Sequence, residues 1–187
     1  PPSVDITMPV RPLGAVYLSD DRGATWEAAY DVTTTLPISG VVEFAASPAA
    51  PDVIYAATDG TGLLRTTDGG AHWEPIDTWT GPASVRSVAV DRVSADTVYA
   101  AAIVPDATPG ASATPGVYVS HDAGATWEHM PGTGGDVWAL HMAASQPQAL
   151  YLGTWGGGVR RLAADGRWSP LSAVPERSNV FALTSAR

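Results

Sequence analysis

The chain has 187 residues, 45% of them hydrophobic and 16% charged, which is the composition of a globular protein. Its formal net charge of -9 argues against nucleic acid or an anionic membrane surface as a partner. It has no cysteine and no lysine, which excludes disulfides, thiolate nucleophiles, sulfur-ligated metals and Schiff-base chemistry. No apolar run is long enough to span a bilayer and the N-terminus shows no signal-peptide pattern, so we expect no membrane insertion.

Taken in chain order, the sequence alternates short apolar runs with turns rich in glycine, proline and aspartate. Two runs, at 4–7 and 16–18, precede a first turn that ends at Trp26. Three similar units follow, with apolar runs at 41–44, 54–57 and 63–65, at 85–88, 98–101 and 117–119, and at 137–140, 150–153 and 159–161. A last run, 179–185, matches the first run of a unit. The runs are rich in β-branched and aromatic residues and none keeps a helical period, so they predict strands.

The turn after the third run of each unit carries a repeated motif. Its full copies are Ser19, Asp21, Gly23 and Trp26; Thr66, Asp68, Gly70 and Trp73; and Ser120, Asp122, Gly124 and Trp127. A fourth copy, 161–168, keeps only Asp165, Gly166 and Trp168. The tryptophans recur at intervals of roughly 40 to 55 residues, which is the period of a four-stranded propeller blade.

The motif Ser/Thr-x-Asp-x-Gly-x-Thr-Trp is the Asp-box, also called the bacterial neuraminidase (BNR) repeat. The chain resembles the repeats of sialidases, xyloglucanase-type glycosidases, sortilin-type receptors and photosystem II assembly factors. The segment 53–60, Val-Ile-Tyr-Ala-Ala-Thr-Asp-Gly, is most similar to the xyloglucanase-type enzymes. The resemblance implies an all-β propeller of four-stranded antiparallel blades. It also implies an extracytoplasmic location (secreted, periplasmic or cell-surface). It does not assign a function, because these families share the repeat and not the chemistry.

We predict one propeller domain over 1–187 with four blades. The blades are expected at 179–187 together with 1–30, at 40–77, at 84–130 and at 136–171. Residues 179–187 would then lie beside residues 4–8 and close the ring, which removes the exposed strand edges of an open stack. The alternative is that the chain forms part of a larger propeller.

The Asp-box residues are expected to be structural. Asp21, Asp68 and Asp122 are placed to accept hydrogen bonds from backbone N–H groups of their own turns, while the glycines supply a positive φ and the tryptophans cover the hairpins. Asp68→Ala should therefore lower stability and leave ligand binding unchanged. The four histidines lack metal-ligand spacing, so neither a metal nor a cofactor is expected.

Ligand sites of propellers usually gather on the face formed by the loops between blades and between the second and third strands of a blade. Seven residues of these predicted loops form the candidate binding face: Arg11, Asp59, Trp79, Asp136, Trp155, Glu176 and Arg177. The two tryptophans could stack on sugar rings, anchor a protein partner, or only cap the ends of blades.

The favoured function is a non-catalytic interaction module that binds a protein partner or joins an extracytoplasmic complex. It rests on the lack of a recognisable nucleophile–base pair, carboxylate pair or metal cluster, so no catalytic residue is predicted. The alternative is a glycan-binding or glycoside-hydrolase-like propeller. A retaining glycosidase needs two carboxyl groups about 5 Å apart and an inverting one about 6.5–9.5 Å. Asp59, Asp136 and Glu176 are the candidates for such a pair.

Overall fold

The computed structural model describes residues 15–31, 40–104, 113–133, 137–144, 149–175 and 177–184. Every regular element in these ranges is a β-strand, and all the strand pairs are antiparallel, which confirms the all-β prediction. The strands are β1 (Ala15–Leu18), β2 (Glu27–Asp31), β3 (Gly40–Ser47), β4 (Ala50–Asp59), β5 (Gly62–Thr66), β6 (Glu74–Pro75), β7 (Ser84–Val90), β8 (Val98–Ile103), β9 (Gly116–Ser120), β10 (Glu128–His129), β11 (Val137–Met142), β12 (Leu150–Thr154), β13 (Val159–Leu162) and β14 (Trp168–Pro170). No helix among the described residues is long and apolar enough to cross a membrane.

Twelve of the strands form three four-stranded meanders, which we call blade I (β3–β6), blade II (β7–β10) and blade III (β11–β14). The hairpin β1–β2 lies before them. Blades I and II join where Asp59 pairs with Ser84, and Ala83 O accepts hydrogen bonds from Gly60 N at 3.0 Å and Gly62 N at 2.7 Å. The meander order explains the repeat, since each sequence unit supplies one blade from its inner to its outer strand.

The core lies between neighbouring blades rather than inside any one of them. The cluster between blades I and II includes Tyr55, Leu63, Val85, Val98, Tyr118 and Trp127, and the cluster between blades II and III includes Ala101, Val117, Val137, Leu140, Leu150 and Leu152. The second strands carry small residues, such as Ala56 and Ala57, that are fully buried. Because these strands have a neighbour on each side, small side chains let the blades approach closely.

Residues 178–184 leave blade III in the way that β7 leaves blade I. Gly158 N donates to Ser178 O at 3.0 Å, as Gly62 N does to Ala83 O, and Val180 N donates to Thr154 O at 3.0 Å. A Cβ on Gly153 would lie 2.6 Å from Val180 Cγ1, so a glycine is required for this close approach. The predicted contact of 179–187 with residues 4–8 lies outside the described residues, and the four-blade closure stays a prediction.

Candidate functional site

The first strands of the three blades each contain a β-bulge at the same position. Each of these strands shifts its register against its partner strand at one residue, which is left unpaired. That residue is Val42 in β3, Arg86 in β7 and Trp138 in β11. A bulge re-aims the extra side chain away from the regular alternation. The three bulged residues line one cavity of about 250 Å³, which we call the axial cavity and which is formed by Val42, Glu43, Arg86, Ser87, Trp138, Ala139, Leu140, Phe181, Ala182 and Leu183.

Arg86 is held in the cavity wall by a carboxylate and a ring. Its Nη1 lies 3.2 Å from Asp59 Oδ2, and its guanidinium carbon lies 5.2 Å from the centroid of the Trp138 ring. Asp59 Oδ1 in turn accepts a hydrogen bond from Ser84 Oγ. A guanidinium fixed between a carboxylate and an aromatic face keeps one orientation, so its remaining N–H groups are preorganised donors.

A second polar group of the wall links three blades. Leu140 N of blade III donates to Ser87 Oγ of blade II at 2.9 Å, and Ser87 Oγ donates to Glu43 Oε2 of blade I at 2.5 Å. Val88 N also donates to Glu43 Oε2, at 3.1 Å. This chain of hydrogen bonds fixes one carboxylate oxygen of Glu43 and leaves the carboxyl group at the cavity wall.

Three aromatic rings adjoin the cavity and form what we call the aromatic cluster: Trp138, Trp155 and Phe181. Ring centroids lie 6.1 Å apart for Trp138 and Trp155, 5.6 Å for Trp138 and Phe181, and 5.3 Å for Trp155 and Phe181. Trp155 is 54% exposed and Phe181 52% exposed. Large aromatic side chains that stay in water beside a polar cavity are typical of a ligand-binding surface.

The predicted binding-face residues are only partly brought together. Asp59 and Trp155 both adjoin the wall of the axial cavity, through Arg86 and Trp138 respectively. Trp79 lies between blades I and II instead, with its ring 5.0 Å from both Tyr118 and Trp127 and its Nε1 donating to Pro82 O at 2.9 Å. Arg177 is exposed. Arg11, Asp136 and Glu176 lie outside the described residues.

Sequence reasoning missed Glu43, Arg86, Trp138 and Phe181. Each lies in a run that was assigned to a buried inner strand, and period-2 alternation does not reveal a bulge. A comparison of the four runs could have revealed the variable position. The first residue of each run is always valine, whereas the second differs from unit to unit (Val42, Arg86, Trp138, Phe181).

The Asp-box turns have one geometry in all three full copies. In the third, Asp122 accepts hydrogen bonds from Thr126 N at 2.8 Å, Thr126 Oγ1 at 2.6 Å and Ser120 Oγ at 2.8 Å, and Trp127 Nε1 donates to Gly124 O at 3.1 Å. The first copy repeats these contacts with Thr25, and the second with His72 in place of threonine. Gly23, Gly70 and Gly124 all have φ between 90° and 103°.

These hydrogen bonds favour the ionised carboxylates. The Thr126 hydroxyl and N–H lower the pKa of Asp122 to about 2, and the Thr25 N–H and hydroxyl do the same for Asp21. The pKa of Asp68 is lowered as well, first by the His72 N–H and then by the His72 ring. In the described part of the chain, no three His, Asp or Glu side chains converge as a metal-binding group.

We expect the stability of the protein to fall as the pH drops from about 4 to about 2. A carboxylate whose folded pKa lies below its ordinary value of 3.8 stabilises the fold above that value, and this contribution is lost as the pH falls through the folded pKa of about 2. Asp122→Asn should therefore lower the thermal midpoint at pH 6 and flatten its decline below pH 4. Melting curves between pH 2 and pH 6 measure this. Asp165→Asn is the control, because Asp165 accepts one described hydrogen bond, from Arg167 N. Parallel curves for the wild type and Asp122→Asn would contradict the assignment.

Comparison with known proteins places the chain in a family. Residues 14–148, well over half of the chain, match the Sortilin-Vps10 model, which is described as sortilin, neurotensin receptor 3. The chain belongs to the Sortilin-Vps10 family. This match confirms the resemblance to Asp-box propellers, and it shows that the repeats of the chain are of the BNR type.

The relatives of this Sortilin-Vps10 chain include xyloglucanases. It is 31% identical over 195 aligned residues to a xyloglucanase of Hypocrea jecorina, covering 86% of the chain and 23% of the enzyme. It is 27% identical over 198 residues to a xyloglucanase of a Paenibacillus species, covering 88% of the chain and 19% of the enzyme. The crystal structure of a GH74 xyloglucanase from Xanthomonas campestris superposes with a TM-score of 0.64 at 24% identity, covering 89% of the chain and 27% of the enzyme. The chain thus spans about a fifth to a quarter of the length of the curated relatives it matches.

The prediction of a non-catalytic interaction module is wrong. The xyloglucanase relatives contradict it and favour the glycoside-hydrolase-like alternative. The prediction rested on the absence of a recognisable catalytic motif. In a propeller the chemical groups of one site come from different blades, so no local motif forms in the sequence even where a site exists.

Proposed function

We propose that this chain is part of a glycoside-hydrolase-like propeller that binds a xyloglucan-type polysaccharide at the aromatic cluster and the adjoining axial cavity. The observation that carries the proposal is the cluster itself. Trp155 and Phe181 are each more than half exposed and are held against Trp138 beside a cavity that contains Arg86 and Glu43. Aromatic surface beside a few fixed polar groups suits the alternating C–H and hydroxyl faces of a sugar chain.

The relatives supply the class of polysaccharide. Those reported above are named as xyloglucanases, and the alignments with them run over most of this chain. Because a polysaccharide of this kind is met outside the cell, the proposal places the protein outside the cytoplasm.

Isothermal titration with xyloglucan oligosaccharides tests the binding half of the proposal. Trp155→Ala should weaken binding by about 2 kcal/mol or more, which is roughly 30-fold, because an aromatic ring of this kind acts as a hot spot of a binding surface. Trp26→Ala is the matched control, because Trp26 is also exposed but lies in an Asp-box turn. Equal affinities of the two variants, or no binding by the wild type, would contradict the proposal.

Release of reducing ends from xyloglucan tests the hydrolase half. A glycosidase that uses two carboxyl groups loses most of its activity when either one is neutralised. Asp59→Asn, Asp136→Asn and Glu176→Gln each remove one of the three candidates. We expect the wild type to release reducing ends and at least two of the variants to be strongly impaired. Full activity in all three variants would assign the chemistry to other residues.

A further inference from the structure

The axial cavity is too small for a stretch of polysaccharide. Its volume of about 250 Å³ lies below the roughly 300–1,000 Å³ of pockets that enclose drug-sized ligands. The cavity therefore suits a single small ring, while a longer chain would have to lie across the aromatic cluster outside it.

The wall of the cavity carries polar groups whose bonding capacity is unfilled. Glu43 Oε2 accepts two hydrogen bonds, but no described residue donates to Oε1. Arg86 Nε and Trp138 Nε1 are buried and have no acceptor within the described ranges. A buried donor without an acceptor costs stability, and such groups in a folded protein call for an explanation. These two N–H groups are closed off from the cavity by protein atoms, whereas Glu43 Oε1 can accept a hydrogen bond from a ligand hydroxyl group.

The charges of the cavity select against anionic ligands. Arg86 carries the one positive charge among the lining residues, and Asp59 lies against it as an ion pair. Because Asp59 already pairs with Arg86, Glu43 is the remaining charge among the lining residues, and an anion would bring a like charge against it. A neutral ligand avoids this repulsion. Trp138 and Phe181 give the same cavity two apolar walls.

We infer that the axial cavity is a binding site for one neutral sugar ring, whose hydroxyl groups are held by Glu43 Oε1 and by the outer nitrogen atoms of the Arg86 guanidinium. This inference deepens the proposed function and rests on it for the choice of sugars. Glu43 is thus a ligand-binding residue, and Ser87, which fixes its other oxygen, is a positioning residue.

The test follows the indole N–H signal of Trp138 in ¹H–¹⁵N spectra of the purified protein, assigned with Trp138→Phe. We expect D-xylose or D-glucose to shift this signal in a saturable way, and D-glucuronate to bind at least tenfold more weakly. Glu43→Gln should weaken binding of the neutral sugar at least tenfold. Ser87→Ala breaks the link between the blades but keeps Glu43, so it should weaken binding less than Glu43→Gln.

Three results would overturn the inference: no saturable shift with either neutral sugar, tighter binding of D-glucuronate, or equal losses in Glu43→Gln and Ser87→Ala. The last result would mean that Glu43 acts only through the fold. Trp155→Ala separates this inference from the proposed function. We expect it to weaken oligosaccharide binding and to leave the monosaccharide shift intact. Oligosaccharide binding that depends on Trp155 without any monosaccharide shift would refute the cavity alone.

Discussion

Replacing Trp127 with alanine is expected to lower the free energy of unfolding by about 3–5 kcal/mol, the usual cost of removing a buried tryptophan. Trp127 is 9% exposed and belongs to the core cluster between blades I and II. Its ring meets Trp79 edge to face at 5.0 Å, and its Nε1 donates to Gly124 O. The substitution therefore leaves a cavity between two blades and also leaves a carbonyl without its donor.

Trp26→Ala is the matched control for this prediction. Trp26 occupies the same position of the first Asp-box and makes the same hydrogen bond, to Gly23 O at 3.2 Å, but it is 62% exposed. We expect a loss of about 0.5 kcal/mol or less, the usual range for surface substitutions. Urea denaturation followed by circular dichroism measures both variants. A similar loss in the two would show that the motif contributes through its turn and not through burial of the ring.

Gly62→Ala is expected to lower the free energy of unfolding strongly, because two costs combine. Gly62 has a φ of 82°, a conformation that costs a residue with a Cβ about 1–2 kcal/mol. Its Cβ would lie 2.5 Å from Trp79 Cδ1, and overpacking of this kind costs about 1–3 kcal/mol more. Both the turn after β4 and the position of Trp79 between the blades would be disturbed.

Gly132→Ala separates the two costs. Gly132 has a similar φ of 75°, but no described atom lies within 4 Å of the place that its Cβ would take. It should therefore show the backbone cost alone, and the difference in urea-denaturation free energy between the variants gives the steric cost. If Gly62→Ala and Gly132→Ala were equally destabilised, Trp79 would have to move aside freely, and it could not be a fixed part of the packing between blades.

The repeat pattern predicted most of the fold because its determinants are local. Strand runs, turn residues and the Asp-box all act within about ten residues of one another, so they can be recognised in the sequence. The two loop tryptophans show where this ends. Trp79 and Trp155 both follow strands in glycine-containing loops, yet Trp79 is covered by Tyr118 and Trp127, about 40 to 50 residues away, and Trp155 is half exposed. Their different burial depends on contacts between blades that no local pattern records.

The candidate site was less predictable than the fold for a related reason. The bulges at Arg86 and Trp138 place side chains in the cavity that regular alternation assigns elsewhere, and the partners of Arg86 and Glu43 come from other strands or blades. Of the predicted face, Asp59 and Trp155 adjoin this site, while Arg11, Asp136 and Glu176 stay predictions. A search of the loops alone finds the rim of a propeller face and misses the inner strands.

The repeated bulge also separates two kinds of evolutionary constraint. Val85 and Val137, which precede a bulged residue, are fully buried between blades, whereas the bulged residues Val42, Arg86 and Trp138 have no pairing partner to satisfy. A mutation at one bulge therefore changes the chemistry of the cavity at one point of its wall and does not alter a paired position of the strand. Each gene repeat offers one such codon, so the recognition properties of this scaffold can diversify blade by blade, with little loss of foldability at each step.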